Sequence, residues 1–262
     1  MRTRLLPICI LAVLVPVAAH AGFISTLLST NPVAYWRINA ADETSLVNGY
    51  VLYWDGGVTL GPGAPIAEDP GNQAAVLNGG AADMRTPTLP LGGAVTMAGW
   101  FNLAGMTGDW ATFFAQTWSG DDLDVLLNPD NANVYFYTGR GSELHYAPPG
   151  GFSFRTWYFL AVTLDSGYKS IYIDGLKVAD AGGSGHGENG GPFDVGASPG
   201  WGGRYFDGSL DEVAVWTRAL SPDEIGSIYA AAADEGGVPE PSAFALAAAG
   251  LLALAVRRRM TR

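Results

Sequence analysis

The sequence predicts an all-β protein, two antiparallel sheets stacked as a sandwich, and three observations carry that prediction. Short runs rich in aromatic and β-branched residues recur between residues 23 and 234, separated by Gly, Pro, Asp and Asn. Helical periodicity is nearly absent. One run, 158–164, sets Tyr158, Leu160, Val162 and Leu164 against Phe159, Ala161 and Thr163 on alternate sides, so both faces are apolar and the strand belongs inside a two-layer stack. A length of 262 residues suits one such domain with short appendages.

Taken in order, the predicted strands fall at 95–101, 111–116, 123–127, 133–137, 158–164, 169–173 and 209–217, with loops at 56–63 and 182–191. Ile171-Tyr172-Ile173 runs through Asp174-Gly175 into Leu176-Lys177-Val178. This is the two-residue hairpin whose left-handed φ angles match strand twist. After the last strand, Ser221-Pro222-Asp223-Glu224 reads as a capping box with proline at the first helical position. Ile225, Ile228, Tyr229 and Ala232 follow at one-face spacing, so a short helix closes the last strand against the sandwich. No internal repeat is evident, which disfavours propellers and solenoids.

Both ends read as addresses. Arg2 and Arg4, an apolar stretch over 5–17 and Ala19-His20-Ala21 form a cleavable secretory signal, so signal peptidase is expected to leave Gly22 as the first residue. The one cysteine, Cys9, lies inside that signal, and the exported part has neither disulfide nor thiolate chemistry. At the far end Pro239-Glu240-Pro241 precedes an uncharged span over 242–256 and then Arg257-Arg258-Arg259. Fifteen helical residues reach ~22 Å against a hydrocarbon core of ~30 Å. The arginines would hold their end in the cytoplasm and leave the large domain outside. Setting aside the six terminal arginines leaves eight basic against 25 acidic residues, a net of −17. Such a domain cannot neutralise phosphates, which excludes nucleic acid and favours calcium or a neutral polymer as partner.

Two resemblances sharpen this outline. VPEPSAFALAAAGLLALAVRRR resembles the PEP-CTERM sorting signal of Gram-negative bacteria, with its three parts present and in order. That resemblance implies processing by an exosortase near Pro239 to Pro241, transient anchoring in the inner membrane through 242–256, and release to the cell surface or extracellular matrix. WYFLAVTLDSGYKSIYIDGLKVAD, YFDGSLDEVAVWTRALSPDEIGSIYAAA, NPVAYWRI and VTMAGWFNL are similar to the signature stretches of laminin-G-like, concanavalin A-like jelly-roll domains, in family order across 31–232. The expected organisation is a signal over 1–21, a laminin-G-like jelly roll of one concave and one convex sheet over 22–235, and the sorting signal over 236–262.

Sites for chemistry are few. Glycosidases of this fold place paired carboxylates on one concave strand, and Asp122 and Asp124 in Asp121-Asp122-Leu123-Asp124 would share a face. The glutamate-bracketed pattern of laminarinase-like enzymes is absent, however, and neighbouring turn residues give a plainer reading, so no catalytic residue is assigned. His145 and His186 are far apart and lack partners at metal-ligand spacing, and the glycine-rich segment holding His186 reads as a surface loop. Asp211 falls on the apolar face of its strand, where a bare carboxylate is costly. It needs either backbone amides or, as the resemblance implies, a structural calcium shared with Asp42 or Glu43, although Asn39-Ala40-Ala41 stands where relatives carry a glutamate. Trp118, Tyr135, Tyr137, Tyr146, Trp201 and Tyr205 flank loops, where rings either stack on sugars or pack into the core; Trp36, Trp100, Trp157 and Trp216 fit core positions. The expected function is that of an exported, non-enzymatic, lectin-like module for glycan or matrix. A structural protein that adheres to a matrix protein and a glycoside hydrolase of the same fold are the alternatives.

Overall fold

A computed structural model describes residues 22–80, 82–105, 110–116, 123–128, 133–139, 143–185 and 191–233. The secretory signal, the sorting tail, Trp118, Asp121, Asp122 and His186 lie outside these residues. Among the described residues the strands are β1 (Ala34–Trp36), β2 (Glu43–Thr44), β3 (Val51–Asp55), β4 (Thr59–Pro62), β5 (Gln73–Asn78), β6 (Asp83–Thr86), β7 (Ala94–Leu103) and β8 (Ala111–Gln116). They continue with β9 (Leu123–Asn128), β10 (Asn133–Thr138), β11 (Glu143–Tyr146), β12 (Trp157–Asp165), β13 (Tyr168–Ile173), β14 (Leu176–Gly182), β15 (Phe193–Val195) and β16 (Asp207–Trp216). Two helices, α1 (Phe23–Ser29) and α2 (Pro222–Ala231), flank the series.

The strands form two antiparallel sheets. The first runs β14-β13-β12-β7-β16-β5-β4 with β1 also paired to β16; the second runs β11-β10-β9-β8-β15-β6-β3-β2. All seven predicted strands are present, several longer by a residue or two at their ends. The predicted loop over 56–63 contains β4, an edge strand closing on Pro62, which a sheet tolerates only where no ladder donor is needed. The Asp174-Gly175 hairpin forms with φ of 50° and 77°, pairing Ile173 with Leu176.

Strand alternation decides what is buried between the sheets. Leu160, Val162 and Leu164 of β12 meet Phe113, Val125, Phe136 and Phe193 of the second sheet in one continuous core. The opposite face of β12 carries Phe159 and Ala161 into a separate cluster with Trp100, Tyr172 and Trp216, covered by Phe23 and Leu27 of α1 and Ile225 and Ile228 of α2. The two-faced apolar pattern at 158–164 therefore reports a sheet against one face and helices against the other. Helix α1 was not expected from the sequence. Gly22 offers no capping side chain, and the Glu68 carboxylate supplies the acceptor instead, taking the Ile24 N–H at 2.6 Å. Seven residues are too few for an independent helix, so burial of Phe23 and Leu27 decides the outcome.

Helix α2 begins as its sequence dictates. The Ser221 hydroxyl accepts the Glu224 N–H at 3.2 Å while the Glu224 carboxylate accepts the Ser221 N–H at 2.8 Å. Arg218 donates to both oxygens of Glu224, at 3.0 and 2.6 Å, and holds that carboxyl down to about 2.

Candidate functional site

The outer face of the second sheet carries a groove assembled by strand parity. Leu123, Val125 and Leu127 of β9 point into the inter-sheet core, so Asp124 and Leu126 point outward; on β10 Val134 and Phe136 are inward, and Tyr135 and Tyr137 outward. Pairing registers Tyr137 against both Asp124 and Glu143, and Tyr135 against both Leu126 and His145. Neighbouring strands thus deliver two phenols and two carboxylates to one patch. Trp110, at the approach to β8, stands edge-on to Tyr135 with ring centroids 5.0 Å apart.

A short closed loop forms the opposite wall. Ser198 and Gly203 exchange backbone hydrogen bonds, Ser198 N–H to Gly203 O at 2.6 Å and the reverse at 3.2 Å, around a 3-10 turn over Pro199–Trp201. Gly202 and Gly203 take φ of 83° and 103°, which only glycine adopts without strain. The turn presents Trp201 half exposed, and Arg204, which follows Gly203, is fixed through its carbonyl, which accepts the Thr112 N–H at 2.9 Å. Together Trp201, Arg204, Trp110, Tyr135, Tyr137, Leu126, Asp124 and Glu143 enclose about 220 Å³. Asp124 lies beneath this wall, 1% exposed, with the Ser198 hydroxyl donating to it at 3.3 Å. Glu143 is exposed at the rim.

Of the aromatic residues singled out in the sequence, Tyr135, Tyr137 and Trp201 meet in this groove. Tyr205 does not line it; its ring lies beside Gly203. Tyr146 packs against the inter-sheet core across from Val134. His145 is exposed and stacks on Tyr135 at 5.1 Å and 27°. Trp36, Trp100 and Trp216 are buried, and Trp157 packs half-buried beneath the helices. Sequence reading passed over Trp110, Glu143 and Arg204. Trp110 carried a signal, an aromatic residue abutting a strand, whereas Arg204 and Glu143 reach the groove only through loop closure and pairing register.

Asp211 and its neighbour Glu212 are fully buried at a bulge in β16, with Glu212 at φ 51°. The Asp211 carboxylate accepts the Glu212 N–H at 2.8 Å, the Ala64 N–H at 2.7 Å and the Asn72 amide at 2.7 Å. Glu212 accepts from the Tyr35 hydroxyl and from Arg37 at 3.4 Å, and Arg37 also pairs with Asp69. Burial pushes the Asp211 carboxyl well up, with the Glu212 charge adding to it; burial lifts Glu212 to about 7 against the opposing pull of Tyr35 and Arg37.

The expected calcium donors do not fit that ion. Both Glu43 oxygens accept backbone N–H groups, from Arg37 at 2.7 Å and Asn39 at 2.6 Å, and Asp42 accepts the Trp54 N–H at 2.8 Å. Calcium requires a converging shell of oxygens, whereas these carboxylates are turned toward N–H donors. Among the described residues no three His, Cys, Asp or Glu side chains gather as a metal site.

Residues 78–226 match the concanavalin A-like lectin/glucanases superfamily, and residues 237–259 match the PEP-CTERM protein-sorting motif. No curated protein matches the sequence. Among solved structures, domain 4 of an extracellular arabinanase from Geobacillus stearothermophilus, in complex with arabinotriose, is similar at 18% identity and a TM-score of 0.63, over 76% of this chain and 98% of that one. A botulinum neurotoxin serotype D binding domain is similar at 11% identity and a TM-score of 0.60, over 78% of this chain and 52% of the other. The sialidase of Trypanosoma rangeli is similar at 12% and 0.59, over 80% of this chain and 34% of that enzyme. At these identities the likeness is one of fold.

Proposed function

The chain belongs to the concanavalin A-like lectin/glucanase superfamily, and on that footing we propose that it is an exported, non-enzymatic module holding extracellular polysaccharide in the groove of its second sheet. The observation that carries this reading is the meeting of Tyr135, Tyr137, Trp110 and Trp201 around one cleft with charged groups among them. Aromatic faces stack on the apolar faces of sugar rings, and carboxylates accept from their hydroxyls. A hydrolase needs an acid and a base offered to the glycosidic bond, whereas Asp124 is buried and engaged by Ser198. The arabinanase domain crystallised with arabinotriose supports a saccharide as the class of ligand.

The PEP-CTERM motif marks an exported chain processed at the membrane, and it implies an exosortase as the processing enzyme. In the proposed sequence of events signal peptidase trims the chain before Gly22, the span over 242–256 holds it briefly in the inner membrane of a Gram-negative cell, and exosortase releases it to the surface or matrix. Among the described residues no helix is long and apolar enough to cross a membrane, and 242–256 lies outside them.

The test is glycan-array binding and calorimetry on the full chain. Binding that is lost in Trp201→Ala and Tyr137→Ala, with no reducing sugar released, is the expected result. Release of reducing sugar that disappears in Asp124→Asn would identify a hydrolase, and binding confined to protein partners would identify an adhesin.

A further inference from the structure

We infer that the saccharide taken by this groove is acidic, and that Arg204 receives the carboxylate of a uronic acid unit; the inference rests on the groove being the glycan site. The guanidinium carbon of Arg204 lies over the Trp201 ring, 5.1 Å from its centroid, and over the Trp110 ring at 5.7 Å. Contacts of this kind hold the cation by its charge and leave its five N–H donors uncommitted.

The other buried or half-buried arginines are used differently. Arg37 pairs with Asp69 and Glu212, Arg85 with Asp194 at 2.5 Å, and Arg218 with Glu224 at 2.6 Å. Among the described residues no carboxylate stands within ion-pair distance of Arg204, in a domain where acids outnumber bases three to one. Asp124 and Glu143 line the same groove without standing within ion-pair distance of it. The backbone fixes its place as well: Arg204 adopts φ 44° and is tied to β8 through Thr112.

A planar fork of donors, clamped by indoles and aimed into a cleft, matches a carboxylate in two-point geometry. The same cleft explains how a sugar acid would be oriented. Its carboxylate is drawn to the Arg204 and Trp201 wall and repelled from Glu143, which is exposed and placed to accept from ring hydroxyls. Because residues 22–235 carry 24 acidic against eight basic residues, an anionic polymer is held off most of the domain's surface, and attachment is confined to Arg204.

The experiment measures binding of the full chain to oligogalacturonate and oligomannuronate, each beside its methyl ester, which keeps the sugar and masks the charge. At least one acid should bind tenfold or more tightly than its ester. Arg204→Gln should erase that difference and Arg204→Lys should keep part of it, with thermal unfolding confirming that both variants fold. Equal binding of acid and ester, preference for sulfated over carboxylated sugars, or binding of neutral glycans alone overturns the inference and leaves glycan binding standing. Failure to bind any saccharide overturns both.

Discussion

Glu212→Gln isolates the energetic consequence of burying two adjacent acids. The side chain is fully buried, accepts from Tyr35 and lies 3.4 Å from Arg37. Burial raises its carboxyl from 4.5 to about 7. An acid raised in the native state holds its proton more tightly folded than unfolded, so its contribution is intact below pH 4.5 and drains away as pH climbs through about 7. That displacement is worth roughly 3 kcal/mol, most of it spent between pH 5 and pH 8. The Gln variant has no proton to lose, keeps an oxygen for Tyr35, and relieves Asp211 of its charged neighbour. Asp194 and Asp211, also raised by burial, add to the slope of both proteins, so urea unfolding should find the wild type losing more stability than the variant between pH 5 and pH 8, by about 2 kcal/mol. Parallel pH profiles for the two proteins would refute the assignment of this slope to Glu212.

Three further outcomes are expected. Ser221→Ala removes the acceptor for the Glu224 N–H and should lower stability by about 1 kcal/mol in chemical denaturation. Phe159→Ala empties a site bounded by the Phe23, Trp100 and Tyr229 rings and should cost about 3 to 5 kcal/mol, read as a drop in melting temperature with the native far-ultraviolet dichroism retained. Replacing Pro239 and Pro241 by alanine should leave the chain at its unprocessed mass in membrane fractions, measured by mass spectrometry.

Legibility in the sequence followed the reach of the signals. Strands such as β8 and β12 announced themselves because their whole burial pattern is written in consecutive residues, and α2 because a capping box spans only four. Helix α1 was hidden, since its cap is Glu68, more than forty residues away. The edge strands β2 and β4, and β3 beside β2, carry too few buried residues to stand out from loops. In the groove, Tyr135 and Tyr137 were visible as alternating phenols. Their convergence with Asp124 and Glu143 depends on register, and with Arg204 on a loop that closes through Ser198 and Gly203, neither of which a linear reading contains. Asp211 was legible as a buried acid in want of partners, but not the Ala64, Asn72 and Glu212 donors that satisfy it.

The two helices over the first sheet also place the two ends of the described domain. Gly22 leads directly into α1, and the last described residue, Ala233, follows α2 by two positions, with the Ala232 carbonyl bonded to Ala67. Gly22 and Ala233 therefore both lie at the back of the sandwich, with two sheets between them and the aromatic cleft. The points at which the flanking segments join the domain are thus on the face remote from the cleft.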